Sequence, residues 1–166
     1  MLTRSDFMSG AFPAQYGNAL AGVFDLNLRN GNNNKHEYVL QAGLNGYEAG
    51  VEGPFSKQHN SSYMFNWRYS FLDLLQKMGF NIAGGAIPTY TDLNFKIYAT
   101  TKRAGTFSLF GLGGIDKVSA GAENSTDQFN PIKNTDLRNN TKIGVVGLTN
   151  KLILGEKANL ITALSY

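Results

Sequence analysis

The sequence predicts an all-β chain that forms part of a transmembrane antiparallel β-barrel, with about seven strands after residue 34. Three observations lead to this expectation. Polar and apolar residues alternate with a period of two, the alternating segments are roughly ten residues long, and short connections alternate with long ones. Strands of soluble domains typically have about 5–6 residues, whereas strands of membrane barrels have about 9–11.

Residues 62–71 show the alternation most clearly. Because successive side chains of a strand point to opposite sides, this segment predicts one aromatic face and one mostly polar face. The aromatic positions are Tyr63, Phe65, Trp67, Tyr69 and Phe71. They could be a stacking platform for sugars or bases, but we expect them to face lipid, since Trp and Tyr gather in girdles at membrane interfaces.

Further strands are predicted on both sides of this segment. Clear alternation marks 36–44, 47–55 and 91–100, and weaker alternation marks 105–114, 142–153 and 158–166. The short turns are 56–61, 101–104 and 155–157, the long connections are 72–90 and 115–141, and Asn45-Gly46 is a hairpin-turn signal. Short turns at one end and long loops at the other are typical of outer-membrane barrels.

A soluble β-sandwich or barrel would produce similar alternation, with the apolar face turned inward to a core. Strand length and loop asymmetry favour the membrane barrel, and a soluble all-β binding or structural module remains the alternative. Residues 71–78 fit either a short amphipathic helix or a strand that continues beyond the membrane.

Several function classes find no support in the composition. The chain has no Cys, so thiolate metal sites and disulfides are excluded, and its two His, His36 and His59, lack partners at ligand spacing. The basic residues are scattered, which argues against a nucleic-acid partner. The Gly111–Gly114 run fails the dinucleotide-loop pattern because Asp116 occupies the third Gly position, and we interpret its glycines as a bend or loop entry. No cofactor and no catalytic constellation is expected.

Four charged residues fall on the faces opposite the apolar ones: Glu48, Glu52, Arg68 and Lys96. Glu48 and Glu52 could be paired acids, and Arg68 and Lys96 could attract an anionic cargo. A polar barrel lumen explains all four more simply, with Arg68 and Lys96 paired to carboxylates of the lumen or of a plug. We therefore expect them to face the lumen.

The first thirty residues combine turn signals with one predicted strand, 23–29, and glycines at Gly17 and Gly22 suit unusual backbone conformations or close approaches. The run Ala11-Phe12-Pro13-Ala14-Gln15-Tyr16-Gly17-Asn18-Ala19, followed by Gly22-Val23, resembles the end of the plug domain of TonB-dependent receptors, especially those of Bacteroidetes-type bacteria. Gln15 departs from the acidic residue often found there. The motif residues are Phe12, Pro13, Tyr16, Gly17, Asn18 and Gly22. Glu52-Gly53-Pro54-Phe55 and Trp67-Arg68-Tyr69-Ser70 resemble an early barrel hairpin of the same family.

The resemblance implies that residues 1–31 are the C-terminal end of a plug domain and that 32–166 are the N-terminal portion of a receptor barrel. Such a receptor lies in the bacterial outer membrane and takes up an iron chelate, cobalamin, a glycan or a peptide. Its partners would be outer-membrane lipid, the rest of the same receptor, and the TonB complex through a segment absent here. The resemblance therefore implies a piece of a transport protein rather than an enzyme.

Overall fold

The structure, a computed structural model, describes residues 2–10, 12–17, 19–56, 60–79, 86–120 and 137–166. The chain divides into two compact units, Met1–Asn30 and Gly31–Tyr166, each with its own sheet. The division lies one residue before the boundary that the sequence predicts. The predicted identities of the two parts, plug end and barrel portion, remain predictions.

The first unit is a two-stranded antiparallel sheet. Strand β1 (Leu2–Ser9) pairs with β2 (Gly22–Leu28), and one turn of 3₁₀ helix lies between them. The rings of Phe7 and Phe24, which are register partners, lie 4.5 Å apart. The sequence predicts β2 but not β1, because residues 2–9 alternate too weakly to be recognised without their partner strand.

The second unit is one antiparallel sheet in which every strand pairs with its neighbour in sequence. This arrangement confirms the all-β class and the seven antiparallel strands; closure into a barrel remains a prediction. A short helix, α1 (Leu72–Lys77), follows the third strand of the sheet. The strands are β3 (Glu37–Gly43), β4 (Gly46–Ser56), β5 (Ser61–Tyr69), β6 (Ala86–Thr100), β7 (Thr106–Ala120), β8 (Leu137–Leu154) and β9 (Ala158–Ser165).

The central strands are longer than the sequence predicts. β6 and β7 have 15 residues each and β8 has 18, so each enters a segment expected to be loop. Polar residues there continue the pairing without a break in register, as Thr89 opposite Lys117 and Asp116 opposite Thr141 show. The hydrogen-bonded ladder extends beyond the alternation, so pattern alone placed the starts of β6 and β8 too late and the end of β7 too early. The remainder of both predicted loops, 80–85 and 121–136, lies outside the described residues.

One further expectation from the sequence is wrong, and one open alternative is narrowed. Phe71 does not belong to the aromatic strand, because β5 ends at Tyr69 and Phe71 directly precedes α1. Of the two interpretations of the glycines that begin at Gly111, a bend or a loop entry, the loop entry does not hold, because all three glycines lie inside β7. Gly111 lies inside β7 opposite Phe95, whose ring occupies the space where a side chain would be. A glycine in a strand interior often marks such a close approach.

The turn between β3 and β4 is tight, as the Asn45-Gly46 signal predicts. Leu44 and Asn45 form a two-residue turn closed by the pair Gly43 and Gly46. Gly46 has φ +141°, and a Cβ at this position would overlap the carbonyl oxygen of Tyr69 on β5. Glycine is therefore needed both for its conformation and for the close approach of β5.

Candidate functional site: the two faces of the sheet

The seven-stranded sheet has two chemically different sides in its first half. We call the side that carries Phe65 and Trp67 the aromatic face and the side that carries Met64 and Asn66 the polar face. On the aromatic face Phe65 is 43% exposed and Trp67 is 40% exposed. On the polar face Met64 is 3% exposed and Asn66 is 8% exposed. The rings of Phe65 and Trp67 are therefore on the accessible side of β5, and Met64 and Asn66 are on the sequestered side, although Arg68 on that side is exposed.

The aromatic face is continuous across neighbouring strands. Val51, Phe65 and Phe95 are partners in one register row, and the adjacent row contains Trp67 and Leu93. The polar atom of the indole is satisfied on this face, since Trp67 Nε1 donates a hydrogen bond of 3.2 Å to Thr91 Oγ1. The rings of Trp67 and Tyr69 stack with centroids 6.1 Å apart. This surface is apolar, and the hydrogen bond to Thr91 and the stacking on Tyr69 fix the orientation of the Trp67 indole.

Two rings extend the aromatic face at its ends. Phe71, although outside β5, packs its ring 4.9 Å from that of Tyr47. At the opposite end, an imidazole nitrogen of His36 lies 3.1 Å from the hydroxyl of Tyr63. His36 therefore contacts an aromatic residue near the end of the sheet; His59 lies outside the described residues. Tyr63, Phe65, Trp67 and Tyr69 share one face of β5, as the alternation predicts.

The polar face contains a row of charged residues in register. Glu48 on β4, Arg68 on β5 and Asp92 on β6 are consecutive partners across the sheet. Arg68 Nε donates to Asp92 Oδ1 at 3.0 Å, and Asn66 Nδ2 donates to Glu48 Oε1 at 2.7 Å. Asn94 Nδ2 also donates to Asp92 at 3.3 Å. The carboxylate that pairs with Arg68 thus belongs to the neighbouring strand, and only the strand register could have identified Asp92.

Glu52 takes part in a second cluster at the other end of the polar face. The backbone N–H of Asn32 donates to Glu52 at 3.0 Å, and its side-chain amide donates to Glu37 at 2.9 Å. Lys35 forms an ion pair of 2.8 Å with Glu37, and this hydrogen bond, together with the attraction between the two charges, raises the pKa of Lys35. Asn32 therefore bridges two carboxylates that face each other across β3 and β4.

These contacts bear on the predicted roles of Glu48, Glu52 and Arg68. Glu48 and Glu52 lie two register rows apart and bind different partners, so they do not form a paired acid site. Lys96 shares the polar face as the register partner of Met64. Within the described residues, no three His, Asp or Glu side chains come together as a potential metal site. The geometry provides hydrogen-bonding and charged groups for polar solutes.

An open groove of about 830 Å³ lies at the Leu44–Asn45 end of the sheet. Glu48 and Arg68 contribute charge to its wall, and Tyr69 and Tyr90 contribute aromatic hydroxyl groups. Sequence reasoning did not find this groove, because its residues come from four strands and the turn between two of them.

The plug-end motif adopts an ordinary turn in the first unit. Tyr16 N–H donates to the carbonyl of Pro13 at 3.0 Å, and the Tyr16 hydroxyl donates to Asp25 at 3.4 Å. Gly17 has φ −60°, so its predicted special conformation is wrong, whereas Gly22 lies against the ring of Phe7 as the predicted close approach requires. Phe12 is half-buried, and Asn18 lies outside the described residues.

No protein-family model, no curated protein and no solved structure matches this chain. Among the described residues, none of the helical structure is both long enough and apolar enough to cross a membrane.

Proposed function

We propose that this chain is part of a TonB-dependent receptor of a bacterial outer membrane, which takes up a nutrient of the iron-chelate, cobalamin, glycan or peptide class. The observation that carries the proposal is the inverted burial of β5. Phe65, Trp67 and Tyr69 are exposed on one face, whereas Ser62, Met64 and Asn66 are buried on the other, where only Arg68 of β5 is exposed. Outer-membrane barrels have this distribution, with an apolar band toward lipid and a polar interior.

A soluble module would need the opposite distribution. Phe, Tyr and Trp each carry about 150–250 Å² of surface, and a water-soluble sheet gains most of its stability by burying such side chains. Here Tyr47, Phe65, Trp67 and Tyr69 all lie on the accessible side. In a bilayer this exposure is favourable, because lipid replaces the missing core, and the hydroxyl and indole groups suit the interface.

The lengths of the strands and connections give independent support. β6, β7 and β8 are long enough to cross a membrane with residues to spare, since a crossing strand needs about 9–11. The turns Thr101–Gly105 and Gly155–Lys157 are short and lie at one end of the sheet, whereas α1 lies at the other end, where β7 ends and β8 begins. Short turns mark the periplasmic side of such barrels and longer loops the extracellular side.

The polar face then faces the lumen, where a plug would reside. The row Glu48, Arg68 and Asp92 is already paired within the sheet, and the groove at its end opens on the extracellular side. Nutrient would contact the groove, whereas the residues on the aromatic face would contact lipid. The resemblance of residues 11–23 to the end of a plug domain supports the assignment to this receptor family.

Whether the aromatic face contacts lipid can be measured by Trp fluorescence, because Trp67 is the only Trp of the chain. The chain is refolded into phosphatidylcholine vesicles, and its fluorescence is quenched either by brominated acyl chains or by aqueous acrylamide. We expect strong quenching by the brominated lipid and weak quenching by acrylamide. The matched control carries Trp67→Phe and Asn66→Trp, which moves the indole to the adjacent polar-face position and should reverse the order.

Equal lipid quenching of both proteins would contradict the assignment of faces, and a water-soluble monomer without lipid contact would support the soluble β-module. Dependence on TonB is tested separately in the intact receptor that contains this segment. Uptake of its nutrient should cease in a bacterium that lacks TonB, and continued uptake would reject the transport mechanism.

A further inference from the structure

Three basic residues lie together on the aromatic face, near the end of the sheet where β6–β8 extend furthest. Lys142 is the register partner of Ile115, Lys117 is the partner of Asn140, and Arg138 is the partner of Ser119. Register partners share a face of the sheet, and so do residues two positions apart in one strand. All three basic side chains therefore lie on the same face. Diagonal neighbours such as Lys117 and Lys142 on paired strands are about 7–8 Å apart at the backbone, which one anion can bridge with two long side chains.

The three cations are exposed, and within the described part of the chain none of them forms an ion pair. Asp116, the acidic residue nearest in sequence to Lys117, lies on the polar face because adjacent strand residues point to opposite sides. The opposite end of β6–β8 differs: its aromatic-face residues are Ala99, Phe107 and Asn150. The charge is therefore concentrated at one end of an apolar surface.

A groove of about 440 Å³ adjoins this basic cluster on the same sheet. Its lining includes the apolar residues Trp67, Leu93 and Ile115 and the polar residues Thr91, Asp92 and Lys142. Gly113 and Gly144, which are register partners, also line it, and a Cβ on Gly144 would meet nothing within 4 Å. The groove thus offers an apolar slot that leads directly to a cation.

We propose that the corner formed by Lys117, Arg138 and Lys142 binds the headgroup of an anionic, phosphate-bearing membrane lipid, with an acyl chain in the groove beside Trp67. Charge complementarity selects the headgroup, since ammonium and guanidinium groups pair with phosphate oxygens. The apolar slot selects an amphiphile over a free anion. This inference rests on the proposed membrane location of the aromatic face.

Trp67 reports on this site, because it lines the groove. The chain is refolded into phosphatidylcholine vesicles that contain a fixed fraction of brominated lipid, either phosphatidylglycerol or phosphatidylcholine. We expect brominated phosphatidylglycerol to quench Trp67 more strongly at equal mole fraction. Each basic residue near a membrane surface contributes roughly fivefold to anionic-lipid binding, so Lys142→Gln should lower the preference by up to about that factor.

The decisive comparison uses two triple variants with the same loss of charge. Lys117→Gln with Arg138→Gln and Lys142→Gln should abolish the phosphatidylglycerol preference and leave quenching by brominated phosphatidylcholine unchanged. The control variant, Lys102→Gln with Arg103→Gln and Lys151→Gln, neutralises cations at the opposite end of the sheet and should retain the preference. Equal loss in both variants would overturn the site, since it would show a general charge effect.

Two further outcomes separate this inference from the function on which it rests. If both brominated lipids quench the unmodified chain equally, the lipid site is wrong and the membrane location stands. If neither lipid quenches it, the membrane location itself fails. An excess of inorganic phosphate should not remove the preference; if it does, the cluster binds a free anion rather than a lipid.

Discussion

The two halves of the seven-stranded sheet separate polar from apolar side chains to different degrees. In β4–β6, neighbours such as Trp67 and Arg68 place an aromatic ring on one side and a charge on the other. In β7–β9 both sides are apolar over much of their length, as the adjacent residues Leu109 and Phe110 show. In the first half, the alternation of polar and apolar residues shows which side each side chain faces. In the second half, only the pairing between strands shows how the side chains pack.

Glycine explains how the second half packs without a clear pattern. The ring of Phe95 covers Gly111 on the aromatic face, and the ring of Phe110 covers Gly147 on the polar face. Both glycines are buried under their partner's ring. When a large side chain packs over a glycine on the paired strand, the fit between the two fixes the register of the strands. This fit does not require polar and apolar residues to alternate along either strand. The following predictions test this contrast, from the largest expected effect to the smallest.

In the patterned half, Trp67→Lys places a charge toward lipid and should cost folding free energy in a bilayer, about 2–4 kcal/mol at the midplane and about 1 kcal/mol or less near the interface. Asn66→Lys should cost far less, since that side chain lies on the polar face beside Glu48. Urea unfolding of both variants in phospholipid vesicles measures the difference. Equal costs would remove the distinction between the two faces.

At the turn of the patterned half, Gly46→Ala should destabilise the chain by about 1–3 kcal/mol, because alanine is strained at this φ and its Cβ overlaps the Tyr69 carbonyl. Gly43→Ala is the matched control, since a Cβ there meets nothing within 4 Å. Denaturant midpoints of the two variants provide the comparison. If Gly43→Ala were the more harmful substitution, the described hairpin geometry would be incorrect.

In the paired half, Gly111→Ala should cost about 1–2 kcal/mol, because the new methyl group forces the Phe95 ring from its position. Gly113→Ala should be neutral or slightly stabilising, since its nearest neighbour would be the Ile143 carbonyl oxygen at 3.7 Å and alanine restricts the unfolded chain. Trp67 fluorescence can follow unfolding of both. A harmless Gly111→Ala substitution would argue against register control by shape.

The smallest effect is expected for the ion pair of the polar face. Arg68 and Asp92 are 49% and 21% exposed in their side chains, so solvent screens their attraction. A double-mutant cycle with Arg68→Gln and Asp92→Asn should give a coupling of about 0.2–1 kcal/mol, which decreases with added salt. A coupling of zero would mean that register, rather than this charge pair, holds the two strands together.

The sequence predicted the elements that can be identified from their own residues, without knowledge of the strand that pairs with them. Residues 62–69 alternate strongly enough to indicate a strand and its two faces, and a tight turn was evident at Asn45-Gly46. Glu48, Glu52, Arg68 and Lys96 were assigned to one type of face on the same grounds. The lumen and lipid assignments of these residues remain predictions, because they depend on the surroundings of the sheet.

Alternation within the chain thus determined the β class, the number of strands in the large sheet and the side to which most side chains of the first half point. The tertiary structure alone decided which residues meet: Asp92 with Arg68, Phe95 with Gly111, and β1 with β2. It also decided how far β6, β7 and β8 extend. The physical reason is that side-chain direction follows from local backbone geometry, whereas contacts between strands depend on register, which joins residues far apart in sequence.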